Sequence, residues 1–203
     1  MDKTKRRLLG EAGYNLVELM IVVGIAGVLA GMATVQISLS KNSARGDAAM
    51  RVVLYQMNQA RELAIGQRRY MELVFDTTKN EMQVWREDTV ATTSLVRNIG
   101  FEGGAQLGLT TGVPDTPDAF GKTMSTSFTS QKNGTFASTT KLTSCVKFAP
   151  DGTLVDWNGY VVNGTVFIKF ASGDSNSVRA VTVLGSTGRV RGYRWDGHAW
   201  KVV

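Results

Sequence analysis

A single carboxylate, Glu18, interrupts an apolar run that begins at Leu16, and residues 19–35 carry no charged side chain. A carboxylate taken into hydrocarbon costs on the order of 2.5–3.5 kcal/mol, so a residue of this kind faces a partner or marks a function. A second candidate lies near the other end. Arg189 and Arg191 alternate with Val190 in a β-favouring stretch, and alternate strand residues share one face, which sets the two guanidiniums about 6.6 Å apart with Tyr193 and Trp195 continuing the row. Paired arginines beside aromatic rings suit phosphate backbones and stacked bases. A solvated strand face is the simpler reading of the same pattern.

Catalytic chemistry finds little support. His198 is the only histidine and Cys145 the only cysteine, so neither a histidine metal cluster nor an intrachain disulfide can form. Cys145 sits among apolar neighbours, as a buried structural thiol does. No phosphate-binding glycine loop occurs. The expectation is a protein without catalytic residues, metal or cofactor.

The elements that must carry these residues are legible in part. About 20 predominantly apolar residues cross a ~30 Å hydrocarbon core as a helix, and residues 14–39 meet that length. Lys3, Lys5, Arg6 and Arg7 precede the run, which by the positive-inside rule keeps this end cytoplasmic and translocates the rest. An ordinary secretory signal fits poorly, because the apolar run is too long and the small residue, Gly13, stands before it. Within the span, Gly27 and Gly31 have the spacing that lets membrane helices approach closely. Residues 40–67 continue as an amphipathic helix with Ala49, Val53, Met57, Ala60 and Ala64 on one face. No proline interrupts residues 14–67, which predicts one helix of roughly 80 Å.

The residues Gly13-Tyr14-Asn15-Leu16-Val17-Glu18-Leu19 behind a basic leader resemble the signal of type IV pilins and pseudopilins. The resemblance implies that a prepilin peptidase cleaves between Gly13 and Tyr14 and that the new amino terminus of Tyr14 is methylated. It further implies that Glu18 pairs with the N-terminal amine of a neighbouring subunit and so sets filament register. Tyr14 departs from the phenylalanine usual in that family, and residues 1–13 make a longer leader than many. Losing them lowers the net charge from +6 to +4, a mildly basic balance.

Residues 68–203 read as a β-rich domain. Runs at 70–75 and 81–85 flank a turn, 95–99 suggests a third strand, and Asp151-Gly152, Asn158-Gly159 and Asn163-Gly164 between β runs are hairpin signals. Residues 100–144, dominated by Gly, Thr and Ser, read as a flexible loop. The stretches Val146-Lys147-Phe148-Ala149-Pro150-Asp151-Gly152, Arg179-Ala180-Val181-Thr182-Val183 and Gly188-Arg189-Val190-Arg191 resemble the minor pseudopilin H and FimT-like family. That resemblance implies an α+β, pilin-like fold: one long N-terminal helix, transmembrane in its first half, packed on a C-terminal antiparallel β-sheet domain. It implies a subunit of a type II secretion pseudopilus or type IV pilus, held in the inner membrane by a single pass with its domain periplasmic, and partnered by prepilin peptidase and other pilins or pseudopilins. Some FimT-like minor pilins act in DNA uptake, so the alternative is a DNA-binding minor pilin of natural transformation using Arg189 and Arg191, with Lys147, Lys169, Arg179, Arg194 and Lys201 adding charge. A third reading is a plain single-pass anchored domain that never polymerises.

Overall fold

The computed structural model describes residues 15–76, 79–89, 92–101, 103–122, 146–156, 158–170 and 177–203, with side chains described throughout except at 33–42. Its first element is a 52-residue helix, α1 (Leu16–Gln67). Asn15 caps it: its carbonyl accepts the first intrahelical bond, from the Leu19 N–H at 3.1 Å, and its Oδ1 accepts the Val17 N–H at 3.3 Å, which satisfies one of the donors a helix start leaves unpaired. Arg68, at φ 53°, ends it in the left-handed conformation common just past a helix C-terminus.

The chain divides into two units, Met1–Lys41 and Asn42–Val203. In the first unit every large apolar side chain of residues 16–32 is at least 55 % exposed, on all sides of the helix. Among the described residues no helix is long and apolar enough to cross a membrane.

In the second unit the helix has a buried face made of Ala49, Met50, Val53, Met57, Ala60 and Ala64, with Gln56 beside it. That face enters one core with two five-stranded sheets, in which every named pairing is antiparallel. The first sheet contains β1 (Met71–Asp76), β2 (Glu81–Thr89), β3 (Thr92–Gly100), β5 (Val146–Phe148) and β6 (Leu154–Val155), ordered β3-β2-β1-β5-β6. The second contains β4 (Ala105–Leu107), β7 (Gly164–Phe170), β8 (Arg179–Leu184), β9 (Arg189–Trp195) and β10 (Trp200–Val202), ordered β10-β9-β8-β7-β4. Period-two alternation selects what enters the core: Met71, Leu73 and Phe75 from β1, Met82 and Val84 from β2, Val181 and Val183 from β8.

Two stretches differ from the sequence expectation. Within 100–144, β4 forms and buries Ala105 and Leu107, and Val113 and Thr116 are buried beyond it; residues 123–145, Cys145 included, lie outside the described residues. The physical reason is Asn80, at φ 57° in the β1–β2 turn. Its Nδ2 donates to the Ala105 carbonyl, and its Oδ1 accepts the Leu107 N–H at 2.8 Å. One side chain therefore supplies the backbone of β4 with a donor and an acceptor.

The second difference is at Asn163-Gly164, which is not a hairpin. Val161 makes a single bridge to Val155, and β7 starts at Gly164 and pairs with β4 and β8. Asn163 Oδ1 accepts the Gly185 N–H at 2.8 Å, so the chain is held across to the second sheet instead of folding back.

A buried charge secures the helix to the second sheet. Arg179 of β8 has no solvent exposure. Its Nε lies 2.6 Å from Asp47 Oδ1, Nη1 donates to the Val178 carbonyl at 2.9 Å, and Nη2 donates to Ser43 Oγ and the Ser43 carbonyl at 3.0 and 3.1 Å. Arg194 of β9 reaches the same turn, with Nη2 3.1 Å from Ser43 Oγ and Nη1 3.7 Å from Asp47 Oδ2. Removing one partner of a buried pair leaves an uncompensated charge and costs roughly 3–5 kcal/mol, whereas an exposed pair is worth about 1 kcal/mol or less. Asp47→Ala is accordingly expected to lower the thermal midpoint by roughly 6–20 °C, at 2–4 °C per kcal/mol for a chain of this size. Arg194→Gln should shift it by less than about 4 °C. Thermal unfolding of the two variants followed by circular dichroism checks both.

Candidate functional site

Glu18 stands in the first turn of α1 and is exposed. It is the third helical residue after the Asn15 cap, the position from which an acidic side chain faces the positive end of the helix dipole, an interaction worth about 0.3–1 kcal/mol at an exposed site. The Asn15-x-x-Glu18 spacing, readable in the sequence, makes Asn15 part of this site. Gly13 and Tyr14 lie outside the described residues.

The other candidate is the strand β9, whose odd and even residues face opposite ways. Gly192 lies against α1 so closely that a Cβ there would stand 2.6 Å from Leu54 Cδ1, and Arg194 reaches Ser43 and Asp47 as described. The outward row is Arg189, Arg191, Tyr193 and Trp195, and only its first half meets solvent. Arg189 is exposed and the Arg191 side chain is 41 % exposed, whereas Tyr193 and Trp195 are buried.

Residues 109–122 form the strap that covers the aromatic half. Val113 packs on Val178, Trp195 and Trp200, and the Pro114 carbonyl accepts the Trp200 Nε1–H at 3.1 Å. Asp118 accepts the Thr182 hydroxyl at 2.6 Å and sits 3.5 Å from Arg191 Nη1. Asp115 shapes the strap internally, accepting the Thr116 and Gly121 N–H groups at 2.7 and 2.6 Å. Burial pushes the Tyr193 phenol up from its ordinary value, and hydrogen bonding to Asp118 adds to the shift.

The surrounding cations are largely committed to other work. Arg179 is the buried partner of Asp47. Lys147 is buried, 3.2 Å from Glu87 Oε2 and 4.2 Å from the centre of the Tyr70 ring. Lys201 pairs with Asp196 at 2.9 Å. Asp196 also accepts the Ala199 and His198 N–H groups, and these bonds with Lys201 hold its carboxyl well below the usual range. His198 thus contributes a backbone N–H to a tight turn. Among the described residues no group of three or more His, Cys, Asp or Glu is placed to hold a metal.

Gly188, first residue of the Gly-Arg-Val-Arg stretch, has φ 63°, and a Cβ there would lie 2.0 Å from the Gly152 carbonyl oxygen. Arg61 Nε donates to that same oxygen at 3.1 Å. The glycine is required by the close approach of the β8–β9 turn to the β5–β6 turn, a packing reason that the motif alone does not disclose.

The chain is similar to two solved structures of the minor pseudopilin EpsH from the type II secretion system of Vibrio cholerae. One is 11 % identical with a TM-score of 0.49, covering 77 % of this chain and 98 % of that one. The other is 10 % identical with a TM-score of 0.48, covering 74 % and 97 %. No protein-family model and no curated protein matches the sequence.

Two measurements follow from this geometry. Gly188→Ala meets backbone that cannot withdraw and should destabilise the domain by about 2 kcal/mol or more, while Arg189→Gln, on the exposed end of the row, should stay within about 0.5 kcal/mol; chemical denaturation of both distinguishes them. The folded Tyr193 phenol ionises above the unfolded one, so its contribution is complete below the unfolded pKa near 10 and is lost as pH rises from there through the folded value. Stability measured from pH 9 to 12 should therefore fall less steeply in Tyr193→Phe than in the unaltered chain.

Proposed function

We propose that this chain is a membrane-anchored minor pilin or pseudopilin: a non-catalytic subunit processed between Gly13 and Tyr14 by a prepilin peptidase, methylated at Tyr14, and inserted through α1 into a filament of like subunits. The single observation that carries the reading is the division of α1. One helix has apolar side chains exposed on every side over residues 16–32 and an apolar stripe buried in a β domain over residues 49–64. A helix apolar all round must be enclosed by lipid or by other helices. Residues 19–35 are free of charge, and 14–39 is taken as a single pass through the inner membrane with the domain periplasmic; residue 14 and the side chains of 33–39, which the pass needs for its length, lie outside the described residues. Glu18, the one carboxylate in that segment, then pairs with the Tyr14 amine of a neighbour. A type II secretion pseudopilus and a type IV pilus both fit this role.

The exposure of Arg189 beside Arg191 favours a second reading, a DNA-binding minor pilin. Asp118 counts against it, since it already meets the Arg191 guanidinium, and so does the burial of Tyr193 and Trp195, which withdraws the stacking surface such sites use.

Intact-mass measurement of membrane-extracted protein, with and without a co-expressed prepilin peptidase, is expected to show loss of residues 1–13 and gain of one methyl group only with the peptidase. In the same cells Glu18→Ala should be processed but recovered in sheared filaments at about a tenth of the unaltered level or less, as removal of a desolvated charge partner implies. Arg189→Gln with Arg191→Gln should assemble normally. An unprocessed chain under both conditions would replace this reading with that of a plain anchored domain.

A further inference from the structure

The strap over the second sheet is fastened differently at its root and along its body. At the root, β4 pairs with β7 and the Gly108 N–H donates to the Phe167 carbonyl at 2.9 Å. Beyond Gly112, among the described residues, no backbone–backbone hydrogen bond joins the strap to a strand. What holds the body is the Val113 side chain, the bond from the Trp200 indole to the Pro114 carbonyl, and the Asp118 carboxylate on Thr182 and Arg191. The Arg191 side chain is half-exposed, so water and salt screen that ion pair. Closure also leaves hydroxyls unmet. Thr116 Oγ1 on the strap and Thr165 Oγ1 on β7, opposite Thr182, are buried and find no hydrogen-bond partner among the described residues. A buried polar group without a partner disfavours the state that buries it.

The body is nevertheless built to move as one piece. Asp115 ties Thr116 to Gly121, and Lys122 Nζ donates to the Val113 carbonyl at 2.6 Å; these bonds lie within the strap and survive its departure. Gly112, at φ 85° with nothing within 4 Å of the place a Cβ would take, is the joint between this body and the anchored β4. Val113 rests on Val178 and Asp118 on Thr182. The strap therefore runs along β8, and Ala180, fully buried on the same face, lies beneath it. We infer that residues 113–122 are a latch over the outer face of the second sheet, with Val113 as its plug and Asp118 as its catch, and that the latch lifts from Gly112 while the core below stays folded. Openings of this kind need less free energy than global unfolding. Lifted, the latch uncovers Phe167, Ala180, Tyr193 and Trp195 and frees Arg191 from Asp118. The face is a conditional surface: closed, it shows solvent the two arginines at one end, and open, it joins them to an aromatic floor.

Thiol labelling of the full-length chain in detergent, in a Cys145→Ser background and with an aromatic disulfide as reagent, tests the latch. Ala180→Cys places a thiol under the strap. Val181→Cys places one on the opposite face of the same strand, in the core that only global unfolding opens. Under native conditions Ala180→Cys should react at least tenfold faster than Val181→Cys. Asp118→Asn, which removes the charge from the catch, should raise the Ala180→Cys rate about tenfold further. Val84→Ala, in the first sheet, weakens the shared core. It should raise the Val181→Cys rate about tenfold or more and leave Ala180→Cys within about twofold, because the open and closed states share that core. Val178→Cys, smaller than the residue it replaces and seated under Val113, gives the same readout should Ala180→Cys lose the fold. Equal rates on the two faces, rates that climb together in Val84→Ala, or an Ala180→Cys rate indifferent to Asp118→Asn would overturn the latch. The filament reading stands or falls separately, on processing and assembly.

Discussion

Arg179 is the constraint on which the domain's arrangement depends. A guanidinium without access to water must be surrounded by acceptors, and here they come from three directions: Asp47 and Ser43 on the helix, and the Val178 carbonyl on its own strand. Meeting that requirement fixes which turn of α1 faces β8, and with it the rotation of the helix that delivers Met50, Val53 and Met57 to the core. Gly46 and Gly192 allow the approach, since a Cβ at either would stand 3.0 Å or less from the Ser177 carbonyl or Leu54. Hydrophobic burial supplies most of the favourable free energy, but it is indifferent to small rotations. The buried charge is not.

The helix was the most legible part of the chain, because a 3.6-residue stripe needs only residue type and spacing. Ala49, Val53, Met57, Ala60 and Ala64 are all buried as that stripe requires. Strands around Asp151-Gly152 and Asn158-Gly159 were legible for a similar reason, positive φ at Gly152 and Gly159 being written into the dipeptides. Asn163-Gly164 carries the same local signal and does something else. What redirects it is a hydrogen bond to Gly185, distant in sequence, and no local rule contains that partner. Likewise β4 is three residues long, too short for periodicity to register, and is held by the side chain of Asn80.

The outward row of β9 shows the same boundary between pattern and partner. Alternation placed Arg189, Arg191, Tyr193 and Trp195 on one face, as the strand does. It did not reveal the strap, because Val113, Pro114 and Asp118 belong to a stretch whose glycine, proline and threonine content reads as loop. The candidate site changes character accordingly: half of a basic and aromatic row is the floor beneath a covering segment. Arg179, which composition alone offers as surface charge, proves to be the buried fastening of the helix.

Gly152, Gly185 and Gly188 sit at one corner where the two sheets meet, and at the latter two a Cβ would fall 2.0–2.1 Å from a carbonyl oxygen of the other sheet's turns. At those two no side chain, however small, can be accommodated by repacking, since the obstacle is backbone; at Gly152 the neighbours are the Ile65 and Arg61 side chains, and its φ of 84° is what favours glycine. The corner therefore restricts sequence drift more tightly than the apolar core, where volume can be traded among neighbours. The junction between the two sheets is thus closed by what is absent: at Gly185 and Gly188 the space a Cβ would need is already filled by main chain.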